Sequence, residues 1–346
     1  MAGHWAGIDH FPAKPTNGTD ATRQCLMGGT DINSGGTYLA NLAKAVETGE
    51  LEEKYARLAL RNTYRLRMQM GLFDTAPNQY KQIGTDVVGS AEHQEMSLHA
   101  AEQGMVLLKR GSSLPFPKAK HLAVVGNAVA DAMLMTGNYD GPLCPGPHHP
   151  KWVKGPGASC WPSIGEAINA SNTGGTTTVV AGVAPANVSA AVAASKAADF
   201  TVLVVDNFAD GGGEGKDRSS IGLAAAQMTL ATAVLAAAAP GSVVLVTLSG
   251  GLISLDGLKE SAPAILSAGM PGVHGATAIA RTVFGERNPG GKLSATMYES
   301  NYTSQVDFLN MSMVNGVGRS CEPFSPLPFS SVPIPAGRSA PLSTQL

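Results

Sequence analysis

Six short runs of β-branched and aliphatic residues punctuate the middle of the chain: VLLK from Val106, HLAVVG from His121, TTVVAG from Thr177, FTVLVVD from Phe200, SVVLVTLSG from Ser242 and AILSAG from Ala264. FTVLVVD is apolar without alternation, the pattern of a strand covered on both faces. Alanine-rich segments of helical character lie between the runs, at about 162–170, 188–198, 222–239 and 275–284. Strands alternating with crossovers of that length predict an α/β fold with a mainly parallel sheet, and Val124, Val204, Leu245 and Ile265 are expected in its core.

The first quarter carries a different pattern. After an irregular opening to about Thr22, the stretch through Ile32 reads as a strand delivering Asp31 into a glycine-bounded loop. Tyr38, Leu39, Leu42 and Val46 then recur at helical spacing and Gly49 stops that helix. A second helix runs from about Glu52 to Met70, with Tyr55, Leu58, Leu66 and Met70 on one stripe and Gly71 as its stop. Residues 74–89 form a polar connection containing Pro77 and Asn78, and Ser90 caps a helix to about Gly104. The expected division is 1–75, a linker at 76–89, a sheet domain at 90–300 and an irregular Pro/Ser-rich tail at 301–346.

Composition narrows the functional classes. The 346 residues are 44% hydrophobic, enough for two domains, and the net charge of -2 comes without basic blocks. Neither nucleic acid nor an anionic membrane finds an electrostatic footprint here, and no apolar run approaches the roughly 20 residues of a membrane span. The opening MAGHWAGIDHF lacks the parts of a signal peptide, which by itself suggests an intracellular protein. Against that, Asn-X-Ser/Thr acceptor sequences occur at Asn17, Asn169, Asn187, Asn301 and Asn310. They favour a secreted or vacuolar/lysosomal parent whose own N-terminus lies upstream. Cys144 and Cys160 bracket a Pro/Gly/His-rich loop that a disulfide would staple, although four unpaired thiols in a reducing compartment fit the count equally.

The chemistry concentrates at Asp206 to Arg218, DNFADGGGEGKDR, where a buried strand ends. Ligands of parallel sheets gather beyond the carboxyl ends of strands, so Asp206 is expected at the edge of a crevice as a substrate-binding residue. The glycines that follow permit sharp turns while presenting Glu214; the alternative is a long turn in which Asp217 and Arg218 pair locally. Other constellations are weak. No GxGxxG follows a strand, no phosphate loop of the GxxxxGK[ST] type occurs, and Ser249 lacks a GxSxG elbow. His148 and His149 are adjacent without a supporting acid, so no metal and no cofactor are expected.

A succession of motifs resembles glycoside hydrolase family 3, most of all its β-xylosidase-like branch: RNTYRLRMQMGLFD (61–74), AAEQGMVLLKR (100–110), HLAVVGNAV (121–129), EGKDR (214–218) and PGVHGATAIARTVFGERNPGGKLSATMY (271–298). The resemblance implies a (β/α) barrel carrying an aspartate nucleophile in a Ser-Asp motif, followed by an α/β sandwich that lends a loop glutamate as general acid/base. It thus implies a carbohydrate substrate, with β-linked xylose first, and retaining chemistry. Glu214 matches the acid/base, with Asp210 as the alternative, and Asp31 matches a strand end that borders the sugar. No Ser-Asp dipeptide occurs in the chain, so residues 1–75 read as the last part of the barrel, with the nucleophile expected on a missing barrel segment of the same polypeptide. A non-catalytic carbohydrate-binding or regulatory fragment is the other reading.

Overall fold

A computed structural model of the chain describes residues 2–3, 15–76, 79–137, 161–183, 185–208, 218–251 and 253–307. The chain divides into two compact units, 1–88 and 89–346.

In the first unit, β1 (Ala2–Gly3) pairs in parallel with β2 (Ile32–Asn33). Three helices accompany them: α1 (Gly18–Met27), α2 (Thr37–Glu47) and α3 (Glu53–Gln69). The sequence pattern missed α1, which occupies residues expected to be irregular and then extended. Its start is set by side-chain chemistry: Asn17 Oδ1 accepts the Asp20 N–H at 2.9 Å and the Thr19 hydroxyl at 2.7 Å. Its buried residues are Thr19, Ala21, Thr22 and Leu26, three of them too small or polar to show as an apolar stripe. The extended stretch is correspondingly short, and Asp31 comes before it rather than at its end. The unit's core is small, with Leu26, Ala45, Leu51 and Ala59 supported by Tyr38, Leu42, Val46 and Tyr55. Of the expected stripe on α3 only Tyr55 joins that core, while Leu58, Leu66 and Met70 are exposed.

The second unit opens with α4 (Ala91–Gly104), capped by Ser90, whose hydroxyl accepts the His93 N–H. It continues through β3 (Val106–Lys109), β4 (His121–Gly126), α5 (Ile164–Ser171), β5 (Thr176–Ala181), α6 (Val188–Ala197), β6 (Phe200–Asp206), α7 (Ala225–Ala237), β7 (Val243–Leu248), α8 (Leu258–Ser261), β8 (Ala264–Gly269) and α9 (Gly275–Val283). Among the described residues the strands form one sheet in the order β3-β8-β7-β6-β4-β5. Every neighbouring pair is parallel except β3 with β8.

Successive side chains of a strand point to opposite faces, so each central strand feeds two cores. Leu122, Val124, Val202, Val204, Val244 and Val246 face the helices α4, α5 and α9. Ala123, Val125, Leu203, Leu245 and Ile265 face α6, α7 and α8. The result is a three-layer α/β sandwich in which Val124, Val204, Leu245 and Ile265 are all completely buried, as the apolar runs predict. At the end of β4 the backbone comes so close to β6 that a Cβ on Gly126 would lie 2.1 Å from the Val204 carbonyl oxygen. With φ at 140°, only glycine fits that turn.

Candidate functional site at the carboxyl edge of the sheet

The carboxyl ends of β4, β6, β7 and β8 form one edge of the sheet, where α/β proteins bind ligands. Asp206 is the last residue of β6 and is completely buried. Strand β4 stops short of it, since Gly126 is in register with Val204. The side-chain amide of Gln227, from the first turn of α7, takes up the main-chain groups left without a strand partner. Gln227 Oε1 accepts the Asp206 N–H at 2.8 Å, and its Nε2 donates to the Asp206 carbonyl at 2.6 Å. An amide side chain carries the same donor and acceptor as a peptide group, which is why it can stand in for a strand.

The carboxylate is engaged as well. Asp206 Oδ1 accepts from Gln227 Nε2 at 3.2 Å, from the Phe208 N–H at 3.0 Å and, longer, from Asn127 Nδ2 at 3.5 Å. Oδ2 is buried with no hydrogen-bond partner. An uncompensated buried acceptor costs about 1–3 kcal/mol. The Phe208 bond turns the chain as it leaves the strand, and the Asn207 N–H holds the Leu248 carbonyl of β7 at 3.3 Å.

The chain is described again from Arg218, whose guanidinium donates to the Gly222 carbonyl at 2.6 Å. Ile221 is tied to the segment after β7, because its carbonyl accepts the Ser254 N–H at 2.7 Å. Asp256, in that segment, accepts from the Ser254 hydroxyl and from the Ser300 amide and hydroxyl. Burial opposes its charge, but these bonds and the Lys259 ammonium hold its carboxyl below the usual range. Asp206 and Arg218 flank residues 209–217, and Gln227 of α7 holds the Asp206 end.

Asp210, Glu214 and Asp217 fall within that stretch, outside the described residues, as do Cys144 and Cys160. Asp31 belongs to the first unit, half-buried, with Asn62 Nδ2 donating to its Oδ1 at 3.0 Å. The same sheet edge carries an aromatic pair. The rings of Trp161 and His274 meet edge to face with centroids 4.7 Å apart, and His274 Nε2 lies 2.8 Å from Gln94 Oε1, which makes that nitrogen the donor. Burial pushes the imidazole pKa down.

Sequence reasoning did not single out Gln227 or Glu102. The available signal for Gln227 was a lone amide in the otherwise apolar and alanine-rich start of α7. Glu102 is 4% exposed and binds Arg281 at 2.7 Å and Arg287 at 3.0 Å, joining α4 to α9 and to the turn after it. Among the described residues no cluster of His, Cys, Asp and Glu could hold a metal ion, and no helix is long and apolar enough to cross a membrane.

The family model described as "Glycosyl hydrolase family 3 C-terminal domain" matches residues 105–324. Beta-D-xylosidase 1 of Arabidopsis thaliana is 33% identical over 309 residues, covering 88% of this chain and 38% of the relative. Beta-D-xylosidase 3 of the same plant is 35% identical over 311 residues, with 88% and 38% covered. A solved GH3 exo-β-xylosidase in complex with a xylobiose aziridine probe superposes with a TM-score of 0.73 at 23% identity, covering 91% of this chain and 40% of that one. A β-glucosidase from Listeria innocua, in complex with isofagomine, gives 0.65 at 24% identity, covering 85% and 39%. The chain spans about two fifths of the length of these proteins.

Proposed function

The chain belongs to glycosyl hydrolase family 3, and on that premise we propose that it supplies the general acid/base for removal of terminal β-linked sugars, β-D-xylose first. The observation that carries the reading is the end of β6, a buried strand whose last residue, Asp206, lies at the carboxyl edge of the sheet and opens the acidic, glycine-rich sequence 206–218. The names of the plant relatives, β-D-xylosidases, support xylose as the sugar.

Retaining hydrolysis needs two carboxyl groups about 5 Å apart. One attacks the anomeric carbon. The other protonates the departing oxygen and then takes a proton from the water that releases the sugar. Glu214 has the second role in this proposal, with Asp210 as the alternative, and Asp31 borders the sugar. Because the sequence contains no Ser-Asp dipeptide, the nucleophile is assigned to polypeptide outside these 346 residues. The acceptor sequences, exposed at Asn17, Asn169 and Asn301, support passage through a secretory compartment and residence outside the cell or in a vacuole.

The test is to assay the chain on xylobiose and on an activated aryl β-xyloside, alone and joined to a family barrel segment bearing the nucleophile. The chain alone should turn over neither, and the joined protein should turn over both. Glu214→Gln in the joined protein should slow xylobiose far more than the aryl xyloside, with azide partly restoring the second step. The same behaviour from Asp210→Asn instead would move the role to Asp210. Hydrolysis by the chain alone would overturn the placement of the nucleophile. The missing Ser-Asp motif also favours a second reading, a carbohydrate-binding or regulatory piece, for which sugar binding without hydrolysis in either form would be the sign.

A further inference from the structure

We propose that Gln227 is a positioning residue that acts through Asp206, and that Asp206 orients the chain rather than touching sugar. The inference rests on the reading that residues 209–217 carry the acid/base, and it adds what sets their point of departure. β6 outruns β4, so the last peptide groups before the catalytic stretch have no strand beside them on that flank. Gln227 fills the gap with a donor and an acceptor on Asp206, and a third bond from its Nε2 fixes the Asp206 carboxylate. That carboxylate in turn binds the Phe208 N–H, which sets the direction in which the chain leaves the sheet. Gly222, which receives the Arg218 guanidinium at the other end, lies five positions before Gln227. The start of α7 therefore holds the end at which the segment leaves the sheet. Asp206 itself has no exposed surface, and a sugar hydroxyl could reach it only if the packing opened.

Two arms test this. In the 346-residue chain, hydrogen exchange is measured for peptides covering 206–208 and, as reference, β4 and β7. Gln227→Met, similar in length but without the amide, should speed exchange at 206–208 at least tenfold while the reference strands change less than twofold. Asp206→Asn keeps an oxygen for the Phe208 N–H and should leave exchange within threefold of the original. In the barrel-joined protein, Gln227→Met should lower kcat on xylobiose at least tenfold, with KM and the activated aryl substrate changed less than threefold, because a displaced acid matters only where the leaving group needs a proton. Should Gln227→Met fail to fold, Gln227→Glu, which places a second carboxyl against the first, must show the same pattern.

Unchanged exchange at 206–208, or equal loss across the whole sheet, overturns the proposal. So does a large rise in KM for Asp206→Asn with 206–208 still protected, which would make Asp206 a sugar ligand. If the joined protein proves inactive, the acid/base reading fails while the exchange arm still decides whether Gln227 holds the segment.

Discussion

The two units of this chain solve the problem of burial to very different degrees. In the second, β4, β6 and β7 are covered on both faces, and eleven of the twelve largest fully buried side chains among the described residues belong to that unit. In the first, the described residues cluster as a core of Leu26, Ala45, Leu51 and Ala59, of which Leu51 alone is both large and fully enclosed. Its helix α3 continues into Leu72 and Phe73 with apolar side chains exposed along most of its second half. Similar hydrophobic content thus gives a closed core where each element has neighbours on two sides, and an open surface where it has one.

The largest effect expected from this difference is at Leu245. Truncation to alanine there removes a side chain packed from both neighbouring strands and from the helix layer, and should cost about 2–5 kcal/mol. The same change at Leu51 should fall at the low end of that range, since a small core relaxes around the gap. Chemical denaturation followed by a probe in each unit would check both. Loss of the second unit's transition on Leu51→Ala would show that the two are not separately stable.

Next in size is Glu102. Its carboxylate joins Arg281 and Arg287 across α4 and α9 from a 4% exposed position, while the two arginine side chains are 34% and 57% exposed. Because solvent screens the arginine side, Glu102→Gln should cost about 1–2 kcal/mol, less than a wholly buried pair would. A loss confined to this variant, with Glu286→Gln near neutral, would support the distinction between the two acids beside Arg281.

Much of this architecture was legible in the sequence, for a reason that also explains the failures. The sheet announces itself because a strand buried on both faces has to be continuously apolar, and β6 and β7 are. α1 does not, because its boundary is written in the side-chain bonds of Asn17 and Thr19 and its inner face is small. Gln227 was invisible because its use depends on β4 ending two residues before β6, a fact of register that no local pattern carries. The acidic stretch was found by its glycines and charges. The pairings proposed within it, and the Cys144–Cys160 bridge, concern residues outside the described ones.

A smaller effect is expected from pH. Burial favours neutral His274, so its pKa in the folded chain lies below the ordinary value of 6.5. The unfolded chain then binds the proton more readily. The stabilisation from this group is fully present above pH 6.5 and is lost as pH falls through the folded pKa. Between pH 7 and 5 the second unit should therefore lose stability, and His274→Gln should flatten that slope without reversing it. An unchanged slope would assign the dependence to other groups.

The smallest effect on stability should come from the exposed apolar residues of α3, and it bears most directly on the contrast between the units. Leu66 and Met68 are 54% and 63% exposed, so replacing both with glutamate removes few packed contacts. Each change should stay within about 0.5 kcal/mol, the usual range for surface positions. What should change is the surface itself. Exposed apolar side chains of this kind bind hydrophobic dyes and draw molecules together. The double variant should bind markedly less dye and stay monomeric at concentrations where the original chain associates. A large loss of stability would mean instead that these side chains are covered in solution, and the first unit would then be better closed than its four-residue core suggests. Unchanged dye binding with unchanged stability would place the open surface elsewhere on the chain, with Leu39, at 93% exposure, the next residue to substitute.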